Sequence, residues 1–167
     1  NIFLNQLKSA YEGEEVKSED YTYFDYIEDE IKAESGEEYT KAEKFFDDMM
    51  KNFESASEIT PDLGSQGDNG KLAEVNVPFD FAKIEAFCNK NGVTPAQLFL
   101  AASFYSVSRF TNSRNVYLST ISNGRSDMRL TDCFGMFVKT LPLGIEVEDV
   151  SALEFVKKSK SVFTGAI

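Results

Sequence analysis

Histidine and tryptophan are absent from all 167 residues. Without histidine the chain has neither the commonest general base nor the commonest metal ligand. Ser-His and Cys-His nucleophilic pairs are therefore impossible within it. Only two cysteines occur, Cys88 and Cys133, in dissimilar contexts. Two thiols are too few for a disulfide scaffold or a zinc site, so they read as free thiols in a reducing cytoplasm. No apolar run approaches the roughly 20 residues that span a bilayer, so no membrane partner is expected. Asn1-Ile2-Phe3-Leu4-Asn5 has neither the basic start nor the cleavage site of a signal peptide, and a start at Asn1 rather than Met reads as a piece of something longer. Base is scarce at one end. Residues 1–62 hold 18 acids against 6 bases, a net of −12, while residues 63–167 hold 10 against 11, a net of +1. This acidity argues against a nucleic-acid partner and reads as a solvated acidic face.

What is present is a globular balance, 42% hydrophobic and 27% charged, in a length that suits one domain with a core. Phe3, Leu4, Leu7, Ala10 and Tyr11 share one face of a helix over residues 1–11, and Gly13 stops it. Residues 21–34 read as a second helix with aromatics crowded into its first turns. Residues 38–54 read as a third, with Ala42, Phe45, Phe46, Met49, Met50 and Phe53 as its core stripe. The Ser-, Gly-, Pro- and Asp-rich stretch 55–70 reads as a flexible connection.

The second half alternates strands and helices. Residues 71–78 predict a short strand, and a helix follows from about Phe81 to Lys90, ending near Gly92. Thr94-Pro95-Ala96-Gln97 is a capping box that opens a helix to about Phe110. Residues 115–122 predict a strand that ends in the turn pair Asn123-Gly124, and 134–147 a longer one with Pro142 at an edge or bulge. Ser151 and Glu154 form another capping box before an amphipathic helix. The pattern predicts an α/β fold with helices packed on a mixed sheet, part of which lies outside this chain. Glu28-Asp29-Glu30 and the charged loop Asp127, Arg129, Asp132 read as solvated charge.

Three stretches resemble condensation domains of nonribosomal peptide synthetases. Tyr21-Thr22-Tyr23-Phe24-Asp25-Tyr26 is similar to the family's YxDYAxW-type motif, here without the Trp. Ser119-Thr120-Ile121-Ser122-Asn123-Gly124-Arg125 is similar to a strand ending in a Gly-Arg pair. Phe134-Gly135-Met136-Phe137-Val138-Lys139-Thr140-Leu141-Pro142-Leu143 is similar to (I/V)GxFVNTLPLR. Lys139 stands where Asn is frequent and Gly144 where Arg is common.

The resemblance implies a partial chloramphenicol acetyltransferase-like fold. Residues 1–62 would end the first, helical lobe, 63–70 would link, and 71–167 would begin the second. It implies amide-bond formation between carrier-bound aminoacyl or peptidyl thioesters, driven by a histidine of an HHxxxDG motif expected upstream of Asn1. No catalytic residue is assigned in this chain, no cofactor is expected to bind directly, and no metal ligands are assigned. Substrates would arrive on phosphopantetheine arms. Partners would be peptidyl carrier domains, the rest of the synthetase chain and, through an unfinished sheet edge, another copy. A tunnel wall would be built from Ser119, Ser122, Asn123, Arg125, Phe137 and Lys139. Ser122 and Asn123 also suit plain turn chemistry, and Arg125 suits an ion pair with a nearby acid as well as a carrier phosphate. Along the second motif, one of the sets Met136/Val138 and Phe137/Lys139 packs in the core and the other lines the tunnel. Two other readings remain open: a carrier-binding adaptor of the same fold without catalysis, and another acyltransferase of this superfamily.

Overall fold

Local capping chemistry sets most element starts. The computed structural model describes residues 2–16, 18–53, 55–60 and 74–167. The first helix, α1 (Ile2–Tyr11), ends before Gly13, whose φ of 77° suits a glycine. Helix α2 (Tyr23–Ala33) opens with a capping box that the sequence reading missed. The Thr22 hydroxyl accepts from the Asp25 N–H, and the Asp25 carboxylate accepts from the Thr22 N–H at 2.8 Å. Helix α3 (Glu37–Met50) is shorter than the expected 38–54. The Phe53 N–H turns back to the Met50 carbonyl, and the Phe53 ring leaves the helix to lie on Gly144.

Helix α4 (Phe81–Asn91) ends on left-handed Gly92, and α5 (Pro95–Thr111) begins with the expected box between Thr94 and Gln97. Strand β1 (Asn115–Ser122) matches its expected span, and α6 (Ala152–Ala166) opens on the expected Ser151–Glu154 box. Strand β2 is Lys139–Glu146, shorter than the expected 134–147. The strand pattern breaks because Phe137 is drawn out of line into a buried aromatic cluster. The predicted strand over 71–78 falls partly on 71–73, outside the described residues. Its remainder, 74–78, is irregular, with Val75 and Val77 well exposed. Alternation alone does not make a strand; it needs a neighbour's ladder, and the described sheet holds β1 and β2 only. The expected linker 63–70 also lies outside the described residues.

The chain gathers into two compact units, each made of two stretches. One combines Asn1–Asp47 with Ser119–Leu141, the other Asp48–Leu118 with Pro142–Ile167. In the second unit α5 packs on α6 and α4, over a core that includes Phe104, Val116, Leu143, Ile145 and Phe155. Lys160 of α6 donates to the Gly92 carbonyl at 2.6 Å, tying α6 to the end of α4. The outer side of β1 is engaged at one point. The Ser57 N–H donates to the Tyr117 carbonyl at 3.1 Å, and the Tyr117 N–H donates to Ser57 Oγ at 3.0 Å.

The first unit has a smaller buried cluster of Leu130, Cys133 and Phe137, with Tyr21, Tyr23 and Tyr26 packed against it. Phe3, Leu4 and Leu7 of α1 stay more than half exposed, so the stripe read from the sequence is only thinly covered.

Candidate functional site

The two stretches most like family motifs meet in the first unit. The Thr22 box fixes where α2 starts, so Tyr23, Tyr26 and Glu30 fall on one face at helical spacing. That face receives residues 123–139, hereafter the strap. Phe137 inserts with its ring edge-on to Tyr23 at 5.3 Å and to Tyr26 at 5.0 Å. Gly135 is required here: a Cβ would lie 2.4 Å from the Tyr23 ring. Gly124 is required twice over. Its φ is 65°, and a Cβ would meet the Phe137 carbonyl oxygen at 1.7 Å.

Arg125 holds the strap closed. Its guanidinium lies 4.3 Å from the Phe137 ring centroid and donates to the carbonyls of Leu130, Cys133 (2.9 Å) and Gly135 (3.5 Å). Arg125 makes no ion pair among the described residues, contrary to the expected pairing with an acid. A planar fork of donors suits several converging carbonyls as well as it suits a carboxylate.

Three of the acids read as solvated, Asp29, Glu30 and Asp127, are in fact engaged. Asp29 accepts from the Tyr21 hydroxyl at 2.8 Å and from Arg129 at 3.3 Å. Arg129 also pairs with Asp127 at 2.7 Å and stacks 4.2 Å over the Tyr21 ring. Glu30 pairs with Lys139, whose ammonium lies 5.7 Å from the Tyr26 ring. Glu19 accepts the Phe134 N–H at 2.7 Å. The Tyr21 hydrogen bond holds the Asp29 carboxyl below its ordinary range. Burial pushes Glu30 up, but Lys139 and Tyr26 outweigh it and leave Glu30 lowered. Burial likewise works against the Lys139 charge, and Glu30 reverses it to a raised value. Tyr21 is pushed up to about 12 by desolvation and by its bond to Asp29.

Of the six expected wall residues, two serve the turn. Ser122 Oγ accepts from the Gly124 N–H at 3.3 Å, and Asn123 Oδ1 accepts from the Arg125 N–H at 3.1 Å. Ser119 is exposed on β1. Phe137, 3% exposed, sits in the core cluster, and Lys139 sits beside it at the start of β2. Met136 and Val138 are the exposed set.

Beside the strap lies a cleft of about 580 Å³ whose lining includes Asn5, Gln6, Glu19, Arg129, Asp132 and Cys133. Burial pushes the Cys133 thiol up, so it stays protonated and weakly nucleophilic. No three metal-ligating side chains converge among the described residues, and no described helix is long and apolar enough to cross a membrane. What the site offers chemically is shape and fixed charge.

The sequence reading missed Tyr21, Asp29, Glu30 and Arg129. A signal was available: Tyr26, Asp29 and Glu30 stand at i, i+3 and i+4, which puts both carboxylates on the aromatic face.

A family model described as "Condensation domain" matches residues 1–165. Bacitracin synthase 1 of Bacillus licheniformis is 28% identical over 149 residues, covering 86% of this chain and 3% of that protein. One of the plipastatin synthase proteins of Bacillus subtilis is 24% identical over 167 residues, covering 94% of this chain and 6% of that protein. The first condensation domain of the calcium-dependent antibiotic synthetase, solved with a substrate analogue, superposes with a TM-score of 0.71 at 17% identity. That match covers 94% of this chain and 37% of the solved one.

Proposed function

The chain belongs to the condensation-domain family, and from that premise we propose that it is the middle of a domain that joins two carrier-bound thioesters through an amide bond. It has the partial α/β, chloramphenicol acetyltransferase-like fold of its structural neighbours. One observation carries the proposal. Two motif-like segments more than a hundred residues apart pack into one cluster, Tyr23 and Tyr26 of the first against Gly135 and Phe137 of the second.

In this reading the acceptor amine attacks the donor thioester carbonyl, the C–N bond forms, and the C–S bond breaks to release the donor thiol. Holding both reactants in line supplies a large part of the acceleration, on the order of 7–11 kcal/mol in well-oriented systems. Proton handling and oxyanion stabilisation fall to an imidazole, which this chain lacks. Its share is to shape one wall, with Ser119 toward substrate and with Ser122, Asn123, Arg125, Phe137 and Lys139 setting the wall's backbone. The partners are peptidyl carrier domains that present substrates on phosphopantetheine arms, and the rest of a cytoplasmic synthetase, with residues 1–62 finishing one lobe and 71–167 beginning the next. β1 is engaged at Tyr117, so a second copy would add at the outer edge of β2.

The test uses the parent synthetase module with donor- and acceptor-loaded carriers. Amide product is expected from the parent, and none from the 167-residue chain or from a parent whose upstream histidines are replaced by alanine. Equal turnover by the bare chain, or full activity without the histidines, would overturn the proposal.

A further inference from the structure

Two of the three departures from the family pattern end in charge pairs across the same contact. Counted from Tyr23, the seventh motif position, where the resembled motif has Trp, is Asp29. Asp29 pairs with Arg129. At the second motif Lys139 stands where Asn is frequent, and Lys139 pairs with Glu30. The acids are neighbours on α2. The cations are ten positions apart, one on the 3-10 turn Met128–Leu130 and one at the strap's end.

Each cation is also laid over a tyrosine, Arg129 over Tyr21 at 4.2 Å and Lys139 over Tyr26 at 5.7 Å. So one module appears twice: a carboxylate from α2, a cation from the strap, and an aromatic face beneath. The four charged side chains are between 42% and 54% exposed, so dissolved ions reach them. The rings between them pack around Phe137, itself buried, and salt acts on ring packing weakly by comparison.

We propose that Asp29, Glu30, Arg129 and Lys139 are positioning residues that seat the strap on α2 electrostatically. The strap carries Asn123, Arg125 and Phe137, so its seating fixes the end of β1 that bears Ser119 and Ser122. The seat is tight at low ionic strength and loosens in high salt. It does not depend on which acyl transfer the parent performs.

Hydrogen exchange on the whole chain, followed by mass spectrometry, tests this. Strap peptides spanning 126–138 are compared with α5 peptides as an internal reference, at low salt and at about 1 M NaCl. One half-exposed ion pair shifts an equilibrium roughly 1.5- to 5-fold, so two predict strap exchange faster by roughly 2- to 30-fold in high salt. The reference should stay constant. Asp29→Asn with Glu30→Gln should show the fast exchange at low salt and no salt dependence. The swap Glu30→Lys with Lys139→Glu should restore much of the protection that either single change removes, which guards against simple misfolding. Strap exchange indifferent to salt in the unaltered chain, or an unchanged salt dependence in the double variant, would overturn the proposal.

Discussion

Phe137→Ala removes a ring that is 3% exposed and touches three partners. Truncating a buried Phe costs about 3–5 kcal/mol through lost transfer energy and an unfilled cavity. Two edge-on ring pairs, with Tyr23 and Tyr26, each add about 0.5–1.5 kcal/mol beyond area. Arg125 above the ring adds about 1 kcal/mol more. These contacts share one ring, so they do not sum, and the Ala variant is expected near the top of the range, about 4–5 kcal/mol. Phe137→Leu keeps most of the volume and loses the ring-specific part, about 1.5–3 kcal/mol. Urea unfolding followed by tyrosine emission measures both, since no tryptophan masks the signal. The two variants separate core from cleft. A side chain lining an open wall loses little when truncated, so a cost below about 1 kcal/mol for Phe137→Ala would refute the packing argument and return Phe137 to the wall.

Four further outcomes follow from the same geometry. Gly124→Ala forces a Cβ into the Phe137 carbonyl at a left-handed φ, so it should unseat Phe137 and approach the cost of Phe137→Ala in the same urea assay. Arg125→Lys keeps the charge but not the fork, and should lose about 2 kcal/mol without any carrier present; a loss seen only in carrier binding would favour the phosphate contact. Ser159 Oγ is fully buried with no partner among the described residues, so Ser159→Ala should raise stability by about 1–3 kcal/mol in thermal unfolding. The folded Glu30 carboxyl is lowered from 4.5, so its contribution is present above that value and lost as pH falls through the folded one. Glu30→Gln should therefore flatten the acid side of the stability–pH profile below about pH 4.5, by less than about 1 kcal/mol given its exposure.

Helix starts were readable because capping is local. Thr94 with Gln97 and Ser151 with Glu154 stand three residues apart, and the hydrogen bonds they predict form. The end of β1 was readable for the same reason, since Asn123-Gly124 carries its own turn chemistry. The extent of β2 was not readable. Its first expected half obeys a contact with α2, more than a hundred residues away, and alternation in 134–138 carries no mark of that contact. The expected strand is irregular over its described part, 74–78, for a like reason: a ladder partner cannot be read from one segment.

The charges were misread for a related physical reason. A run such as Glu28-Asp29-Glu30 has one member per direction around the helix, and its average is a solvated face. The average hides the individuals. Among the described residues Glu28 pairs only with Lys32 on its own helix, whereas Asp29 and Glu30 share the side of Tyr26 and meet Arg129 and Lys139. Positions that break a family pattern carried information that composition did not, because a charge placed where a packed aromatic is usual must find a counter-charge or stay in water. Here Asp29 finds Arg129. In the proposed reading, a chain with no imidazole acts by setting where backbone and side chains stand, and the groups that seat the strap are the ones that do so.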